Sequence, residues 1–109
     1  MAGDKENLIM QYNKLVRDKV VEIIKNKGEK AIFHIADESE YWEKLQEKLK
    51  EEVDEFIKDP SIGEVSDILE VIEAICEFKN FDKSELESVK NKKAEDRGKF
   101  EKRIILDES

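Results

Sequence analysis

Apolar residues recur along most of this chain at intervals of three and four, the spacing that turns one face of a helix toward a core. Between Tyr12 and Lys27 they fall at Leu15, Val16, Val20, Val21, Ile23 and Ile24, which predicts a first helix over 12–27. Gly28 supplies its stop, and Lys25 and Lys27 suit the negative end of a helix. A longer second helix is predicted over about 39–58. There Trp42, Leu45, Leu49, Val53 and Phe56 fall in one stripe roughly 80° wide, at about 100° per residue. Asp59-Pro60 ends it, because proline disfavours helix at the residue before it. A third helix over about 61–79 carries Ile62, Val65, Ile68, Leu69, Val71, Ile72, Ile75, Cys76 and Phe78. That arc covers about half the circumference, so this helix is expected to be the most buried of the set. A fourth, over about 82–97, starts at Asp82 or Ser84 and ends at Gly98; Leu86 and Val89 are its apolar residues and the rest is very polar.

Three stretches do not follow this rhythm. Residues 1–10 begin polar and close on Leu8-Ile9-Met10, which predicts a flexible start and at most one docked helical turn. Ala31-Ile32-Phe33-His34-Ile35-Ala36 is too short and too evenly apolar to assign by period and fits a strand or a helical turn. Phe100-Glu-Lys-Arg-Ile-Ile-Leu106 has strand-like composition and is a candidate partner for 31–35. The expectation is therefore one all-α domain over 11–109, a bundle of four to five helices with room for a short terminal strand. His34, the only histidine, is read as a packed residue among apolar neighbours.

The acids are not evenly placed on these helices. Glu52 projects beside the apolar stripe of the second helix, Glu55 further round the same side, and Glu51 almost opposite. On the third helix Glu64 and Asp67 lie within the apolar arc or at its edge, whereas Glu70, Glu73 and Glu77 share the opposite, solvent side. Glu52 and Glu55 are three apart, as are Glu64 and Asp67, and residues three apart share a helix face. Two antiparallel helices joined by the turn at Pro60 would bring both pairs together. Four carboxylates cannot share a small volume ionised without a cation. Oxygen ligands alone suit a hard ion such as Mg²⁺, with Mn²⁺ as a substitute. Ser61 and Glu64 also read as a capping box, in which Glu64 holds the backbone N–H of Ser61. Arg17, and Lys93 and Arg97 one turn apart on the fourth helix, are candidates for phosphate oxygens.

Composition narrows the rest. The chain has 109 residues, enough for one small domain, with 39% apolar and 44% charged residues. So thin a core favours gaining burial by oligomerising. A net charge of -8 argues against binding a nucleic-acid polymer or an anionic membrane. The single cysteine, Cys76, excludes a disulfide framework and a thiolate metal site and reads as a buried inert thiol. No apolar run reaches the about 20 residues of a membrane span, and Met1–Asn7 lacks the apolar core of a signal peptide. The expected compartment is the cytoplasm. A di-iron bundle normally needs Glu-x-x-His on two helices, and an EF-hand needs its Asp-x-Asp-x-Asp-Gly loop; this chain has neither.

The order Glu52-x-x-Glu55, short turn, Glu64-x-x-Asp67 resembles the metal motif of the all-α nucleoside triphosphate pyrophosphohydrolases, which include MazG-like enzymes and phosphoribosyl-ATP pyrophosphohydrolases. Tyr12-Asn-Lys-Leu-Val-Arg-Asp-Lys19 and Lys93-x-x-x-Arg97-Gly98-x-Phe100 are also similar to segments of a small branch of that superfamily, so the likeness spans about 11–106. The resemblance implies the helical bundle of that superfamily and Mg²⁺-dependent hydrolysis of a nucleotide between its α and β phosphates, giving a monophosphate and pyrophosphate. It implies Glu52, Glu55, Glu64 and Asp67 as metal ligands, Glu52 thereby within the catalytic centre, and Glu51 as a helper or water-orienting base. It also implies a homodimer or homotetramer. The eight residues between the acidic pairs form a shorter connection than in many MazG-like relatives, a departure that bears on the base-binding pocket more than on the metal site. A phosphoribosyl-ATP hydrolase is the alternative with the same chemistry. A non-catalytic helical interaction module is the alternative without it.

Overall fold

A computed structural model describes residues 12–109, so the expected turn at Leu8-Ile9-Met10 lies outside the described residues. The described residues are all-helical, with four helices and no strand: α1 (Val20–Asn26), α2 (Glu38–Lys58), α3 (Ile62–Phe78) and α4 (Lys83–Arg97). They belong to two compact units, one reaching to Ile72 and the other starting at Glu73, the division falling within α3.

In the first unit, α1 is much shorter than the predicted 12–27. Asn13 adopts a left-handed φ of 47°, and the N-cap Lys19 offers no side-chain acceptor to the first turn. The Val20 N–H donates instead to the Arg17 carbonyl at 3.0 Å, so a turn rather than a longer helix leads into α1. At its other end Gly28, with φ 79°, follows the last turn as the sequence predicts. Residues 29–37 form neither strand nor helix. His34 is exposed rather than packed, with Nε2 2.9 Å from Glu40 Oε1.

The α2 helix starts where Asp37 accepts from the backbone N–H of Glu40 at 2.8 Å, a side-chain cap. It ends at Lys58, where Asp59 turns extended ahead of Pro60. The next helix begins two residues later, with the Glu64 N–H donating to Ser61 Oγ at 3.2 Å. This tight hairpin is what sets the acids of the two helices against each other. Leu45 is its fully buried side chain, and Val71 and Glu52 are buried with it.

The third helix holds two buried residues, as many as the longer α2 and more than the other two helices, yet much of its apolar arc stays open. Ile62, Val65, Leu69 and Ile72 are exposed, and of its apolar residues Val71 and Cys76 are buried. Its apolar arc is wider than one antiparallel neighbour can cover.

In the second unit, Asn80 takes a left-handed φ of 58° after α3, and the Phe81 N–H returns to the Cys76 carbonyl at 2.8 Å. Asp82, not Ser84, caps α4 by accepting from the Glu85 N–H. Lys83 reaches back to Glu73 at 2.6 Å. Gly98, at φ 82°, terminates α4. The tail forms no strand: Arg103 turns left-handed at φ 56° and closes a turn onto the Phe100 carbonyl. An open hollow of about 670 Å³ lies between the end of α4 and this tail, bordered by Arg97, Phe100 and Ile104.

Candidate metal centre

The α2–α3 hairpin gathers three of the sequence-predicted acids. One carboxylate oxygen each from Glu52, Glu64 and Asp67 lie within 4.8 Å of one another. Ligands on opposite sides of a Mg²⁺ ion sit about 4.2 Å apart, so three oxygens this near one another form a group that could close on such an ion. Glu52 carries the strongest constraint. Only 6% of it is exposed, yet its Oε2 has no hydrogen-bond partner among the described residues, and neither has Oε2 of the half-buried Glu64. A buried ionised oxygen without a donor costs several kcal/mol (roughly). Its placement follows from the sequence: it stands beside the stripe that buries Leu45, so packing that stripe carries Glu52 inward.

Two cations meet the cluster at its edges. Lys48 Nζ lies 3.2 Å from Glu52 Oε1 and Arg17 donates to Asp67 Oδ1 at 2.7 Å. They serve the oxygens other than the two unpaired ones. The residual repulsion shows in Glu64, whose carboxyl is pushed above the usual glutamate range, first by desolvation and then by the charges of Glu55, Asp67, Glu52 and Asp59.

Glu55 is not among the three gathered oxygens; it is exposed and acts on Glu64 as a nearby charge. Glu51 is not among them either; it accepts from Lys14 at 2.9 Å and shares Lys48, 3.7 Å off, with Glu52. The Lys14 hydrogen bond holds its carboxyl below the ordinary value and lifts the Lys14 amine in turn. Arg17 therefore stands at the site the sequence assigned it to, while Lys93 and Arg97 are exposed on α4, in the second unit. Two residues escaped the sequence reading. Lys48 was legible, four residues before Glu52 on the same helix; Lys14 was not, because nothing local marks a lysine that crosses to α2.

The donor set is all oxygen, and two carboxylate oxygens of Glu52 and Glu64 lack a donor among the described residues. These residues fit Mg²⁺ or Mn²⁺. No protein-family model, curated protein or solved structure matches this chain.

Proposed function

We propose that the chain is a Mg²⁺-dependent nucleoside triphosphate pyrophosphohydrolase. The carrying observation is Glu52 Oε2, buried and unpaired where oxygens of Glu64 and Asp67 converge. In the reaction, water attacks phosphorus, the anhydride bond between the α and β phosphates breaks, and the products are a nucleoside monophosphate and pyrophosphate. A divalent ion held by Glu52, Glu64 and Asp67 supplies charge neutralisation for the polyphosphate and lowers the pKa of a bound water. Glu55 adds negative potential at the rim, and as a nearby acid it is the fourth candidate ligand. Glu51, kept ionised by Lys14, orients water rather than storing a proton. Arg17 has a planar fork suited to phosphate oxygens and already neighbours the cluster through Asp67. We assign the working form as a homodimer or homotetramer and its compartment as the cytoplasm; no helix among the described residues is long and apolar enough to cross a membrane.

The test is pyrophosphate release from ribo- and deoxyribonucleoside triphosphates and from phosphoribosyl-ATP, with and without Mg²⁺. Metal-dependent release with a monophosphate product supports the assignment and names the substrate, phosphoribosyl-ATP alone selecting the biosynthetic variant. Silence across the panel, together with no rise in thermal stability on adding Mg²⁺, leaves the chain as a helical interaction module.

A further inference from the structure

We propose that Arg17 is a stand-in cation for the metal centre. It occupies Asp67 while no divalent ion is bound and passes to the substrate's phosphates when one arrives, with Lys14 holding its segment in place throughout. The proposal rests on the reading of Glu52, Glu64 and Asp67 as a metal centre. Residues 12–19, which lead into α1, form neither helix nor strand. Two of their cations still reach different helices of the α2–α3 hairpin. Lys14 Nζ lies 2.9 Å from Glu51 Oε1 on α2, and Arg17 Nη2 lies 2.7 Å from Asp67 Oδ1 on α3. The segment is therefore tied across the hairpin.

The two ties are not equivalent. Glu51 is not one of the three gathered acids, and Lys48 lies 3.7 Å from it as well. A divalent ion on Glu52, Glu64 and Asp67 takes nothing from Glu51, so Lys14 keeps its partner in either state. Asp67 does belong to the three. A divalent ion and a guanidinium on one carboxylate are like charges side by side, and they repel. Arg17 is also the easier cation to detach. Its side chain is 57% exposed against 41% for Lys14, and that of Asp67 40% against 28% for Glu51; exposed pairs hold weakly. Metal and Arg17 thus compete for Asp67.

This competition gives binding an order. Without metal, Glu51, Glu52, Glu55, Glu64 and Asp67 outnumber Lys14, Arg17 and Lys48, and Arg17 is engaged. A bare polyphosphate meets net negative charge there. With a divalent ion bound, the local charge is offset and Arg17 is free to turn its planar fork to phosphate oxygens. Lys14 acts as a positioning residue: it fixes the chain three residues before Arg17, so the freed side chain swings from a fixed place. By linkage, Arg17 weakens metal binding by the same factor by which metal weakens its hold on Asp67.

The measurement is titration calorimetry on the full chain, with Mg²⁺ alone and then with inorganic tripolyphosphate at saturating Mg²⁺. The variants are Arg17→Gln, Arg17→Lys and Lys14→Gln. Arg17→Gln is expected to bind Mg²⁺ at least about 5-fold more tightly than wild type, and tripolyphosphate at least about 5-fold more weakly, the lower end of a coupling between two sites. A residue with a structural role alone does not give opposite signs in the two titrations. Arg17→Lys keeps the charge and should stay nearer wild type in both. Lys14→Gln should stay nearer wild type for Mg²⁺ than Arg17→Gln does, yet weaken tripolyphosphate binding. Mg²⁺ affinity unchanged or lowered in Arg17→Gln overturns the proposal and leaves the metal centre standing. So does tripolyphosphate binding that Arg17→Gln leaves intact. Lys14→Gln matching Arg17→Gln in both titrations reduces the effect to bulk charge and overturns the exchange. No Mg²⁺ binding by wild type and Arg17→Gln alike overturns the metal centre, and the proposal with it.

Discussion

Helices α2 and α4 are both dense in charge and spend it differently. On α2 the stripe through Leu45 packs inward and carries Glu52 to 6% exposure. On α4 no residue is buried, and a pair such as Lys92–Asp96, at 3.3 Å and four apart, lies in water. The difference teaches that a carboxylate becomes chemically informative through the apolar residues beside it. Asp96 is solvated by default, whereas Glu52 was taken out of water by its neighbours and then left with one oxygen unpaired. Variants that exchange these conditions test the contrast.

The largest effect is expected at Glu52. Glu52→Gln keeps the shape and removes the charge, so Mg²⁺-dependent turnover should fall by at least about 100-fold, the upper end of what losing an outer-shell partner costs a metal site. The thermal shift on adding Mg²⁺ should vanish, while the metal-free protein should melt no lower than wild type, since mutual repulsion in the cluster is relieved. Asp67→Asn should behave alike. Wild-type turnover by both variants would place the reaction elsewhere.

Leu45→Ala comes next. Leu45 is fully buried whereas Leu86 of α4 is 47% exposed, so denaturant unfolding should show a loss of about 3 kcal/mol for Leu45→Ala and under about 1 kcal/mol for Leu86→Ala. Equal losses would mean that α4 is covered by something that its exposure does not reveal, such as another copy.

The helices and their ends were legible because they depend on local causes. Asp59-Pro60, Gly28 and Gly98 stop helices through backbone constraints that any context preserves, and Asp37 and Asp82 start them through bonds spanning three residues. Glu52, Glu64 and Asp67 were legible because a helix face is fixed by spacing, and the tight hairpin leaves two faces one way to meet. What failed depends on distant matter. The start of α1 has no side-chain cap to mark it, and the pairing of Lys14 with Glu51 joins positions 37 apart in sequence. Glu55 shares a face with Glu52 by spacing alone, yet only Glu52 stands close enough to the stripe to be drawn in. The exposure of α3 could not be read either, for an apolar arc reports that something covers it and not whether the cover is the same chain.

Asp82 separates the two helices more finely. Its carboxyl is held below the ordinary aspartate value, first by the Ser84 hydroxyl and then by the Glu85 N–H. The folded form therefore binds a proton less readily than the unfolded chain, so the cap's contribution is full above the unfolded value and is lost as pH falls through the depressed one. Asp82→Ala should speed amide exchange at Glu85 and along the start of α4, a helix with no buried face to hold it. Asp82→Asn should keep part of the cap and remove this acid dependence. An unchanged acid limb in Asp82→Asn would assign that dependence to other carboxylates.

The smallest effect is expected at Lys92. Its partner Asp96 is one turn away, and the side chains of both are more than half exposed. Exposed pairs at this spacing contribute about 0.3–0.5 kcal/mol, so Lys92→Ala should lie within that range in low salt and nearer zero in high salt. Lys48 has the same four-residue spacing to Glu52, but its side chain is 17% exposed and its partner's 8%. Lys48→Met removes a counter-charge from a carboxylate that cannot regain water, and should destabilise the metal-free protein more than Lys92→Ala does, with added Mg²⁺ restoring part of the loss. Equal effects in the two variants would show that burial does not separate the two helices, and that the charge on α2 is as ordinary as that on α4.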